Sequence, residues 1–91
     1  MLGDITVVDE IYIVTNYTDM RKSIDGLCAI IEDQLKMDPW RSALYLFCGK
    51  RCDRIKALLW ESDSFVLLYR RMEVKERFRW PRNAREVRQL T

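Results

Sequence analysis

Between Leu44 and Tyr69 the chain reads LYLFCGKRCDRIKALLWESDSFVLLY, three apolar runs of β-type composition separated by two short polar breaks. Runs and breaks of this length favour neighbouring antiparallel strands, since a parallel pair needs a crossover of a dozen residues or more. Ala43 to Cys48 is apolar on both faces, as a central strand is. Gly49-Lys50-Arg51-Cys52-Asp53 is the turn that follows. Arg54 to Trp60 alternates, with Ile55, Ala57 and Leu59 on one side and Arg54, Lys56, Leu58 and Trp60 on the other. Ile55, Leu58 and Leu59 would also suit a helix, but the tetrad Glu61-Ser62-Asp63-Ser64 stops the run early and Phe65 to Arg71 resumes with β-rich composition. The expectation is an antiparallel pair across the 61–64 turn.

Upstream, Ile11 to Thr15 reads as a first strand closed by Asn16. Thr18 stands where a helix N-cap belongs, with Asp19 in the first turn to complement the helix dipole. Met20, Ile24, Leu27, Ile31 and Leu35 then recur at helical spacing, one apolar face to lay on the sheet, until Asp38-Pro39 ends the segment. Gly26 costs a helix interior roughly 1 kcal/mol relative to alanine, so it is expected to mark a close approach of helix to sheet. Phe78 and Trp80 read as a last short strand before Pro81, and Asn83 to Leu90 as a basic helix capped by Asn83. The fold class expected is α+β in a single domain covering 1–91: strand, helix, an antiparallel meander of three to four strands and a short C-terminal helix.

Charge is distributed unevenly over this frame. Residues 1–40 carry a net charge of −5 and residues 41–91 a net of +7, so the overall +2 conceals a polarised molecule. A turn needs only polar or flexible residues to leave the core, and Lys50, Arg51, Arg54 and Lys56 exceed that need. With Arg70 and Arg71 on the next strand, and Arg77, Arg79 and Arg82 beyond it, they form a candidate phosphate-binding patch, since neutralising phosphates releases condensed counterions. The competing reading is a set of solvated strand faces. Trp60 and Trp80 interleave with these cations and are candidates for stacking on bases, whereas Phe65 and Phe78 are assigned to the core.

Other chemistry is thinly represented. The chain has no histidine, which removes Ser-His-Asp and Cys-His hydrolysis and the zinc-metalloprotease helix, and neither GxxxxGK[ST] nor GxGxxG occurs. Three cysteines, Cys28, Cys48 and Cys52, point to neither a disulfide framework nor a four-ligand zinc site. Asp19, Asp25, Asp53 and Asp63 are read as ion-pairing or capping groups. The expectation is therefore a cytoplasmic, non-enzymatic protein with no catalytic residue, no metal, no cofactor and no membrane segment.

Four blocks carry a resemblance: DMRKSIDGL (Asp19 to Leu27), LFCGKRCDRIKALLW (Leu46 to Trp60), FVLLYRRME (Phe65 to Glu73) and FRWP (Phe78 to Pro81). In this order they resemble the TnpB accessory proteins encoded by the second reading frame of insertion-sequence-66-type transposable elements. The chain departs from that pattern at Ser62 and Ser64, where the family has a glycine nearby, and at Val74-Lys75-Glu76, a slightly longer loop without one. The family also continues past Leu90-Thr91 with further helical residues. What the resemblance implies is a bacterial protein needed for movement of its element beside a separate, larger transposase that supplies the cleavage chemistry. DNA contact rests on the charge argument alone. The alternative is an adaptor whose basic half meets the transposase and touches no DNA.

Overall fold

The computed structural model describes residues 8–82 together with the backbone of residues 87–90. Five strands form one sheet in the order β4-β3-β2-β1-β5, with β1 at Glu10–Val14, β2 at Ala43–Cys48, β3 at Arg54–Glu61, β4 at Ser64–Arg71 and β5 at Val87–Leu90. The meander expected from the apolar runs is present. β2 pairs antiparallel with β3 (Tyr45 opposite Leu58), and β3 with β4 across the 61–64 turn (Trp60 opposite Phe65, Arg54 opposite Arg71). β1 joins the other side of β2 in parallel, Tyr12 opposite Tyr45, and residues 15–42 supply the crossover that a parallel pair requires.

That crossover contains α1 (Ile24–Ala29), which runs on through Ile30–Gln34 as a wider π-type turn in which the Leu35 N–H bonds the Ile30 carbonyl at 3.0 Å. Its apolar side lies on the sheet. Leu27, Ile30 and Ile31 pack with Tyr12, Val14, Tyr45, Phe47 and Leu58, with Ile24 and Leu35 at the margin; Ile24, Leu27, Ile31 and Leu35 follow the expected spacing, whereas Met20 reaches the same cluster from a turn before the helix. Tyr12 and Tyr45 stack across the parallel pair with centroids 5.4 Å apart, and the Tyr45 hydroxyl donates to the Asp38 carbonyl. On the opposite face Leu44, Ala57 and Leu59 form a second cluster with Ile11, Leu46, Val66 and Leu68. Among the described residues no helix is long and apolar enough to cross a membrane.

Four expectations are corrected. Thr18 is not an N-cap: it is buried and its backbone N–H donates to the Cys48 carbonyl at 2.8 Å, so residues 18–22 form a separate turn pinned to the end of β2. The helix starts after Ser23 instead, because this long-range bond and the Asp19–Arg21 pair take up the groups that would have opened it earlier. Gly26 faces the stem of Lys22, its nearest neighbour, rather than the sheet. Phe78 and Trp80 lie in irregular chain, where Trp80 Nε1 donates to the Val14 carbonyl at 2.8 Å and Asn16 N–H to the Pro81 carbonyl at 2.7 Å. Finally, Val87–Leu90 is a strand antiparallel to β1, where the sequence predicts a helix. The rest of that expected helix, residues 83–86, lies outside the described residues.

Candidate nucleic-acid interface

The 49–53 turn between β2 and β3 is braced on two sides. Its own closure comes from Cys52 N–H to the Gly49 carbonyl (2.9 Å) and Gly49 N–H to the Arg54 carbonyl (3.1 Å), with Cys52 in the left-handed region at φ 58°. The segment after β4 then bonds it from one flank, Met72 N–H to the Asp53 carbonyl and Phe78 N–H to the Cys52 carbonyl. From the other flank the 18–22 turn packs against it. A Cβ at Gly49 would stand 2.6 Å from Met20 Cγ, so the absence of a side chain is what lets the two turns meet.

Between these turns lies a cleft of about 470 Å³, with Thr18 to Arg21 on one wall and Gly49 to Arg51, Asp53 and Arg54 on the other. Its lining carries four cations (Arg21, Lys50, Arg51, Arg54) and two carboxylates (Asp19, Asp53), a net charge of +2. Arg21 clasps Asp19 through Nε and Nη2, the latter at 2.8 Å. Arg54 Nε is shielded from solvent without a hydrogen-bond acceptor among the described residues, and Asp53 Oδ1 stands 3.9 Å from it. Lys50 and Arg51 are exposed and make no ion pair among the described residues.

The other predicted cations are dispersed. Lys56 lies on the helix-covered face, donates to the Lys22 carbonyl at 2.8 Å and sits over the Tyr69 ring. Arg71 is opposite Arg54 and pairs with Glu73, whereas Arg70 alternates to the opposite face beside Ile55. Arg77 Nη1 is spent on the carbonyls of Val74, Lys75 and Glu76, and Arg82 covers the Tyr17 ring at 5.4 Å. Arg79 is exposed. Trp60 stands six residues along β3 from Arg54, about 20 Å at the rise of a strand. There it meets Phe65 edge-on, with Trp40 on that ring's other contact. Trp80 is occupied by its bond to β1. Phe65 and Phe78 are half-buried, and Phe65 packs against the core.

The second wall is not legible in the sequence. Asp19, Met20 and Arg21 of the DMRK block carry the signature of a helix turn, and only the Thr18–Cys48 bond brings them to the hairpin. The cysteines are free thiols, and burial pushes Cys48 up to about 12, which keeps it neutral beneath the turn.

Two expected results arise here. Gly49→Ala should cost about 1–3 kcal/mol by overpacking against Met20. Adding Met20→Ala should return part of that loss, so a double-mutant cycle in denaturant would reveal the coupling, and strict additivity would contradict the contact. The second result concerns Asp19, whose carboxyl is held down at about 2, against 3.8, chiefly by the Arg21 guanidinium and then by the Arg21 backbone N–H. A carboxyl lowered on folding contributes stability above its unfolded value, and that contribution is lost as pH falls from about 3.8 through about 2. Carbon NMR should show an Asp19 midpoint near 2 that rises toward 3.8 in Arg21→Ala. An unshifted midpoint in the unaltered protein would remove the pair from the folded state in solution.

Comparison with known proteins places this arrangement in context. A protein of Sinorhizobium fredii (strain NBRC 101917 / NGR234) named only as uncharacterized protein y4jC is 32% identical over 57 residues, 63% of this chain and 49% of its own length. A second from the same organism, uncharacterized protein y4hO, is 28% identical over 71 residues, 78% of this chain and 61% of its own. The chain thus spans between about half and three fifths of the curated relatives it matches. No solved structure matches it. The family described as IS66 Orf2 like protein matches residues 9–91, both walls of the cleft included, and the chain belongs to that family of insertion-sequence accessory proteins.

Proposed function

We propose that the protein is a non-catalytic accessory factor for transposition of an insertion sequence, contacting DNA phosphates through the basic cleft and working with the element's transposase. The observation that carries this reading is convergence. Cations from two blocks far apart in sequence, Arg21 and the trio Lys50, Arg51 and Arg54, line one cleft whose walls are fixed by backbone hydrogen bonds. A fixed backbone spares the cost of ordering the turns on meeting a phosphate, and such contacts position a strand without reading bases. The family supplies the link to transposition.

The second reading, an adaptor that binds the transposase and no DNA, draws on the internal use of Arg71, Arg77 and Arg82 and on the half-exposed Trp40 and Tyr69 at the β4 side of the helix-covered face. Binding to the element's terminal inverted repeats, measured against salt, separates the two. The DNA reading expects affinity falling linearly on a log-log plot. Absence of binding at low salt, together with co-purification with the transposase, would favour the adaptor.

A further inference from the structure

Building on the DNA reading, we infer that the cleft takes the terminal phosphate of a nucleic-acid strand, with its nucleotide, rather than an internal stretch of backbone. Three observations converge on this. The lining's net charge of +2 matches a phosphomonoester, which carries about −1.5 to −2 at neutral pH, better than a diester carrying a single charge. The two carboxylates set among the cations, Asp19 and Asp53, would oppose the flanking phosphates of a strand running through in both directions, whereas a strand end has a neighbour on one side only. Asp19 is ionised at neutral pH, as an ordinary carboxyl is, and the Arg21 clasp keeps it in the wall of the cleft, so this opposition operates there.

Shape agrees with charge. At about 470 Å³ the cleft falls in the range of small-ligand sites, ~300–1,000 Å³, and it is a pocket between two turns rather than a groove along the sheet. Met20 gives one wall an apolar surface for a sugar or base, held there by its contact with Gly49. Lys50 and Arg51, exposed and unpaired among the described residues, provide donors for the extra ionised oxygen, with the Arg54 charge beside them in the lining.

The test uses the full chain and one labelled single-stranded oligonucleotide prepared with a 5′-phosphate, with a 3′-phosphate, with hydroxyl ends, and circularised. At least one phosphorylated end should bind about tenfold tighter than the hydroxyl form, the ratio an added charge-assisted hydrogen bond supports. The circle should bind like the hydroxyl form, and Lys50→Gln with Arg51→Gln should erase the preference while leaving the circular dichroism spectrum and melting temperature unchanged. Equal affinity for all four, with steep salt dependence, would overturn the inference and leave the DNA reading standing. No binding of any form at low salt would overturn both. Competition by inorganic phosphate or a nucleoside monophosphate at the concentrations at which the phosphorylated strand binds would also overturn it, making the cleft a small-anion site.

Discussion

Replacing Phe47 by alanine is expected to remove about 3–5 kcal/mol of stability, the range for an aromatic deleted from a sealed core. Phe47 is fully buried near the C-terminal end of β2, the middle strand of the sheet, and it packs in the cluster that joins α1 to the sheet through Leu27, Ile31, Tyr45 and Leu58. No neighbour can collapse easily into the space it would leave, because β2 is held in register by β1 in parallel and β3 in antiparallel pairing. For a chain of 91 residues the total folding free energy is about 5–14 kcal/mol, so this one substitution would consume a large part of it. Phe65→Ala, on half-buried edge strand β4, should cost distinctly less. Urea midpoints for the two variants would decide the matter. A loss below about 1 kcal/mol at Phe47 would mean that α1 does not seal this face.

Local chemistry and distant chemistry were unequally legible. The β2–β3–β4 meander followed from run length and the two polar breaks, because a hairpin is specified by residues adjacent in sequence. The parallel placement of β1 beside β2 is not written in any local pattern and depends on how α1 packs. The start of α1 was misread for the same reason. Thr18 and Asp19 are good capping residues, and what overrides them is a bond to Cys48, thirty positions away. The site divides along the same line. Lys50, Arg51 and Arg54 stood out as surplus charge in a turn, but a count of charges cannot separate them from Arg77 and Arg82, whose guanidinium groups are engaged by carbonyls and a ring. Nor does proximity in sequence place Trp60 near them, since an eight-residue strand carries it to the far end of the sheet.

The cation trio provides the largest functional effect. Where the cleft lies along internal backbone and Lys50, Arg51 and Arg54 each neutralise one phosphate, changing all three to glutamine should flatten the log-log salt slope on duplex DNA by roughly 3 units, and by less where the cleft holds a single strand-end phosphate. The same relation, with the lost contacts contributing nothing at 1 M salt, puts the loss of affinity at several thousandfold, about 3,000–8,000, in 50 mM salt and about a hundredfold in 200 mM. The loss should be alike for all sequences, because phosphate contacts position without specifying. Stability should change little, since Lys50 and Arg51 are exposed and unpaired among the described residues and Arg54 Nε lies 3.9 Å from Asp53 Oδ1, too far for a hydrogen bond. Arg77→Gln gives the contrast: it removes the group that ties the Val74, Lys75 and Glu76 carbonyls together, so it should loosen that loop while leaving most of the slope intact. A triple variant whose slope matches that of the unaltered protein, but which no longer co-purifies with the transposase, would move the cleft from DNA to a protein partner.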